Sequence, residues 1–230
     1  MRGAALLLAA ALLAPGARAV EDTIAQRVQA CTGCHGREGR AASDGYYPRI
    51  AGKPAGYLYN QLLNFRAGRR GYALMTALLD PLSDAYLSEI AAYFAALDLP
   101  YPPPQPPSEP ALLERGRALV LHGDATRRVP ACIACHGERL TGVAPSIPGL
   151  LGLPRDYLNG QFGNWRNGAR QAKEPDCMAE VARRLASEDV AALSQWLAAQ
   201  PVPQPAHAAD ALPAALPLAC GGVPQTSAAR

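Results

Sequence analysis

The chain has 230 residues, of which 49% are hydrophobic and 18% charged, with 22 basic side chains against 19 acidic ones for a formal net charge of +3 at pH 7. Such an even balance carries no basic stripe and excludes a nucleic-acid-binding surface. The length suits one or two domains.

Residues 1–19 read as a signal peptide: Arg2 forms a short basic region, Ala4 to Ala14 an apolar run, and Ala17-Arg18-Ala19 an AxA cleavage site. The apolar run is too short to span a bilayer. A protein exported to the periplasm, with a mature charge near +1, is expected; an uncleaved leader would allow peripheral membrane association.

Cys31-Thr32-Gly33-Cys34-His35 and Cys132-Ile133-Ala134-Cys135-His136 both read CxxCH. This spacing attaches a c-type haem: Cys31 and Cys34, or Cys132 and Cys135, add to the two vinyl groups, and His35 or His136 becomes the proximal iron ligand. Two CxxC pairs can also build a tetrahedral zinc site. Zinc pairs usually lie within about 15–20 residues of each other, whereas these are 101 apart (132 − 31), and zinc gives no reason for a histidine after both. Two haem c groups are expected.

The chain repeats itself at an offset near 100. Gly52, Pro54, Tyr57, Leu58, Gln61, Asn64, Arg66, Gly68 and Arg70 recur as Gly152, Pro154, Tyr157, Leu158, Gln161, Asn164, Arg166, Gly168 and Arg170, which marks a duplicated domain. The Pro-rich run at 101–110 is a semi-rigid spacer. The expected organisation is therefore an N-terminal domain at 20–100, this linker, a C-terminal domain at 111–200, and a Pro/Ala-rich tail at 201–230. Each copy reads as three helices: Ile24 to Cys34 or Ala111 to Leu121, then a segment opened by Pro54 or Pro154 at its first turn, then one capped near Ser83-Asp84 or Ser187-Glu188-Asp189. With few alternating β-branched runs, the fold class is all-α.

Beyond the leader the chain holds two methionines, one per repeat: Met75 lies 40 residues after His35 and Met178 lies 42 after His136. A lone methionine is usually core filler, but a matched pair is read as the two sixth ligands, since a thioether saturates the iron and raises its potential. His122 and His207 are read as solvent-facing or structural. Pro48 and Pro148 are placed to offer a carbonyl to the ligand histidines. Tyr57, Tyr157, Gln61, Gln161, Arg66 and Arg166 are polar residues on otherwise apolar helices; they are expected in the haem environment, with a solvated helix face as the alternative.

Haem attachment consumes four of six cysteines. Cys177 and Cys220 remain, and in an oxidising compartment a disulfide is expected, folding the tail over the second haem and bracing the methionine loop. The rival is that Cys177 itself ligates iron.

On these residues the chain resembles the dihaem cytochrome c4 family over about residues 22–200. The resemblance rests on the two CxxCHG motifs, on Gly116-Arg117-Ala118-Leu119 leading through Gly123-Asp124 to Pro130-Ala131-Cys132, on the paired Pro/Tyr-Leu/Gln helices, and on a methionine before each Leu-Ser-Asp or Leu-Ala-Ser-Glu-Asp helix start. It implies two tandem class I cytochrome c domains about a pseudo-twofold axis, with His35/Met75 and His136/Met178 as axial pairs. It also implies a monomeric periplasmic carrier passing single electrons between a donor and an acceptor such as a terminal oxidase, a cytochrome bc complex or a dehydrogenase. Lys53 and Leu153 depart from the glutamine often found in that family. Two further readings stand beside the carrier: a dihaem enzyme of the thiosulfate dehydrogenase kind, which Cys177 as a ligand would favour, and a dedicated electron-accepting subunit of a dehydrogenase.

Overall fold

The structure, a computed structural model, describes residues 21–41 and 45–224; the leader expected at 1–19 lies outside them. The chain folds into two α-helical units, each around its own apolar core. The first holds α1 (Ile24–Arg27), α2 (Gln29–His35), α3 (Ala55–Arg66), α4 (Ala73–Leu79) and α5 (Asp84–Ala95). The second holds α6 (Leu113–His122), α7 (Ile133–His136), α8 (Arg155–Arg166), α9 (Cys177–Arg184) and α10 (Ser187–Ala198).

The expected helix from Ile24 to Cys34 is instead α1 and α2, separated at Val28, whose side chain is sunk into the first core with Leu58, Leu87 and Phe94. Thr23 and Gln26 form a reciprocal capping box that starts α1. Pro54 and Pro154 sit one position earlier than expected, as extended N-cap residues of α3 and α8 rather than inside them. Ser83 caps α5 by accepting the Tyr86 N–H. The start of α10 differs from expectation: the cap is Ala186, and Asp189 reaches back to accept the Ala186 N–H at 2.9 Å.

In the first unit α3 packs on α5; in the second, α6 and α8 both pack on α10. The α6–α10 crossing is at backbone contact, because a Cβ on Gly116 would lie 2.2 Å from the Ala192 carbonyl oxygen. Asp189 is 0% exposed and holds Arg115 and Arg127, and Arg127 pairs in turn with Asp124, which makes a four-membered ion cluster.

The second unit also carries β structure, beginning with a bridge between Asp124 and Val129. Strands β1 (Gly142–Val143) and β2 (Ile147–Pro148) form a small antiparallel hairpin, and the tail adds Ala209 beside Val143, with Ala209 N–H bonded to Gly142 O at 2.9 Å and Ala144 N–H to Ala209 O at 2.8 Å. The Pro-rich segment runs extended over both units. Tyr101 lies under the Arg49 guanidinium at 4.0 Å, and Gln105 N–H bonds the Ala198 carbonyl at the end of α10.

Arg66 and Arg166, expected near haem, bond at the starts of α5 and α10. Arg66 bonds the Leu82 carbonyl at 2.7 Å and pairs with Asp84, while Arg166 bonds Ser187 Oγ at 3.1 Å. The reason is positional: the ends of α3 and α8 abut the starts of α5 and α10, so each arginine ties one helix end to the next.

Candidate haem-binding centres

Each CxxCH motif ends a short helix, α2 or α7, and is followed at once by a glycine with positive φ (Gly36, 75°; Gly137, 81°), which turns the chain away and leaves the histidine facing inward. His35 and His136 are buried at 8% and 7% exposure. Their Nδ1 atoms lie 2.8 Å from the carbonyl oxygens of Pro48 and Pro148. A carbonyl only accepts, so Nδ1 carries the proton and Nε2 is left as the free lone pair. Burial holds both imidazoles below their ordinary pKa, opposed by the proline carbonyl, so each ring is neutral and ligand-ready. Burial likewise raises the thiols of Cys31, Cys132 and Cys135, pushing Cys132 up to about 12 with Cys135 adding to it.

Met75 lies on α4 and packs partly buried on the first core; Met178 lies on α9 and packs on the second. Among the described residues, no group of three or more His, Cys, Asp or Glu side chains converges as a zinc site would. Cys177 is bonded to Cys220 and so has no thiolate to offer iron. His122 ends α6, and His207 in the tail lies 3.7 Å from Asp98.

The two units meet through a crossed polar lattice. Arg70 donates to Gln61 Oε1 and to Gln161 Oε1, both at 3.1 Å; Arg170 donates to the same pair in the opposite sense. Arg70 and Arg170 also pair as a β-bridge, with Gly71 N–H on Ala169 O and Gln171 N–H on Arg69 O. The guanidinium of Arg70 covers the Phe65 ring at 4.3 Å and that of Arg170 the Trp165 ring at 3.8 Å. Burial, then the neighbouring Arg170 charge, lowers the pKa of Arg70. For Tyr57 burial acts upward, but the Arg170 and Arg70 charges outweigh it and its phenol sits below the ordinary value, whereas Tyr157 is raised by burial and by Tyr57.

No family model matches the sequence. A thiosulfate dehydrogenase electron acceptor of Thiomonas intermedia (strain K12) is 38% identical over 172 residues, 75% of this chain and 79% of its own length. Cytochrome c4 of Pseudomonas aeruginosa is 33% identical over 185 residues, 79% of this chain and 90% of its own. Among solved structures, reduced cytochrome c4 from Pseudomonas stutzeri superposes with a TM-score of 0.63 at 32% identity, covering 76% of this chain and 95% of that one. The chain belongs to the dihaem cytochrome c4 family. A thiosulfate dehydrogenase from Marichromatium purpuratum, TsdBA, also matches, with a TM-score of 0.66 at 34% identity; the match covers 74% of this chain but only 36% of that one.

As a cytochrome c4 relative the protein is an electron-transfer cytochrome with two haem c groups in an all-α fold of tandem class I domains. The residues present fit those groups: two paired thiols, a neutral imidazole with its Nε2 free, and a thioether in each core. Gln61, Gln161, Tyr57 and Tyr157, expected around haem, are gathered at the junction between the units. Sequence reasoning gave no role to Arg70 and Arg170, although both stood in the repeat. The signal was there: an arginine kept at the same place in both copies, nine residues after a glutamine kept likewise.

Proposed function

We propose that this cytochrome is the electron-accepting partner of a thiosulfate-oxidising dehydrogenase, taking electrons singly and passing them to a further acceptor outside the cytoplasm. One observation carries the choice of carrier over enzyme: Cys177 is bonded to Cys220, which removes the one candidate for the thiolate ligand that a catalytic haem would need. The name of the Thiomonas relative supplies the donor class. We assign Cys31, Cys34, Cys132 and Cys135 to covalent attachment, and His35 with Met75 and His136 with Met178 to the axial positions, within domains at 20–100 and 111–200. Bound haem supplies a reversible one-electron iron couple.

The chain's residues do the rest. The Pro48 and Pro148 carbonyls hold each imidazole in one tautomer and orientation. The Met75 and Met178 thioethers would hold the iron and favour its reduced state. Arg70 and Arg170, two cations whose hydrogen-bond acceptors at the junction are neutral glutamine oxygens, would supply positive charge to haem carboxylates brought to that junction. The expected localisation is the periplasm, and no helix among the described residues is long and apolar enough to cross a membrane.

The test is a rapid-mixing experiment with thiosulfate and a thiosulfate dehydrogenase. Haem reduction that needs both substrate and enzyme supports the reading. Slow reduction by that enzyme, alongside fast reduction by a quinol-oxidising complex, replaces it with a general respiratory carrier.

A further inference from the structure

The two methionine segments are built differently. In the second unit Asp176 is buried, and its carboxylate accepts the N–H groups of Ala172 at 2.7 Å and Ala179 at 3.0 Å, fixing both the approach to α9 and its first turn. The next residue, Cys177, is bonded to Cys220, 43 positions away. Gly221 N–H then bonds the Pro175 carbonyl at 2.9 Å, and the backbone is so close there that a Cβ on Gly221 would stand 2.1 Å from Glu174 O. The tail end is carried further onto the first unit, where Asn60 Nδ2 donates to Gly222 O at 2.7 Å. Met178 thus follows directly on a segment held by a carboxylate, a covalent bond and a main-chain contact.

In the first unit none of this recurs. The residue before Met75 is Leu74, 68% exposed, and α4 starts at Tyr72 without a side-chain cap. Its support is of a weaker kind: Thr76 Oγ1 donates to Phe65 O at 3.1 Å, the Tyr72 hydroxyl lies 3.1 Å from that of Tyr47, and Gly71 N–H bonds Ala169 O at 2.7 Å, with no covalent cross-link and no buried carboxylate at the start of the helix among the described residues.

We propose that Asp176, the Cys177–Cys220 disulfide and Gly221 are positioning residues for Met178, so that the second haem keeps its methionine under conditions in which the first exchanges Met75 for another ligand. The proposal rests on the methionine ligation inferred above. Displacing a thioether requires the segment that carries it to swing away, a local opening whose free energy rises with the contacts it must break. A cross-link that limits the opened segment opposes that swing.

The experiment titrates the ferric holoprotein with imidazole and follows the methionine-to-iron charge-transfer band of each haem, with Met178→His identifying the band of the first. In the unaltered protein, the first-haem band is expected to vanish at an imidazole concentration lower by about tenfold or more, a difference of local opening equilibria. In the double variant Cys177→Ser/Cys220→Ser the second-haem midpoint falls toward the first, while the first stays where it was. Gly221→Ala keeps the cross-link but pushes the tail off Glu174; it shifts the second midpoint in the same direction, and it decides the matter should the double variant fail to fold. Equal midpoints in the unaltered protein, or a second midpoint unmoved in the variants, overturn the proposal. A second haem with no such band at all overturns the methionine ligation itself, and the brace with it.

Discussion

An imidazole that donates one nitrogen to a main-chain carbonyl has only the other left to give, so Pro48 and Pro148 decide the chemistry of His35 and His136 without touching iron. In the ligation proposed above, the second protein ligand of each haem is a thioether. Met75→His or Met178→His should leave the haem covalently attached and lower its potential by about 0.2 V, a fraction of the ~0.8 V range that axial ligands command; redox titration of each variant checks it, and an unchanged potential removes that methionine from the iron. Arg70 and Arg170 would act at longer range. A half-buried cation at the junction disfavours ferric iron, so Arg70→Gln should lower the potential of at least one haem by on the order of 50 mV, the size of a charge-charge term across about 10 Å at an effective dielectric constant of about 20. The ligand motifs were legible in the sequence because attachment needs fixed spacing. The repeat of the two arginines was legible too, but not their place, because a surface and a junction between repeats put the same demand on a one-dimensional pattern.

At the scale of the element, α10 depends on one carboxylate. Asp189 caps its first turn and holds Arg115 and Arg127. Asp189→Ala should destabilise the second unit by about 3 kcal/mol, since two cations lose their partner and the Ala186 N–H its acceptor; chemical denaturation measures it. The same cluster sets an acid limit. Burial raises the Asp189 pKa, but hydrogen bonds from Arg127, Ala186 and Arg115 outweigh it, and bonds from Thr126 and Arg127 bring Asp124 down to about 2. Carboxylates depressed in the folded state contribute stability that is present above their unfolded pKa near 4 and lost as pH falls through the folded value. Thermal unfolding temperature should therefore decline from about pH 4 toward pH 2, and less so in Asp189→Asn. Gly116→Ala should cost α6 its seat on α10, by about 2–3 kcal/mol of overpacking. The helices themselves were readable from apolar spacing and caps. The hairpin at Gly142–Pro148 was not, because its strands are two residues each and the bridge that adds to it comes from Ala209, more than sixty residues later in a segment whose composition suggested only a tail.

For the whole molecule, a net charge of +3 on 230 residues gives little long-range attraction for a partner. Reduction by the donor should change by less than about tenfold between low and physiological salt, measured by rapid mixing; a steeper fall would reveal a local cluster steering the encounter. The crossed lattice at the junction has a further consequence. Every bond that residue 61 or 70 makes to the other unit is answered by residue 161 or 170 making it back, which is the arithmetic of an isologous dimer. A half-length chain carrying one Gln and one Arg at these places would be its own complement. The linker and the disulfide-tethered tail, which have no counterpart between the copies, make that association intramolecular, so that it does not depend on concentration.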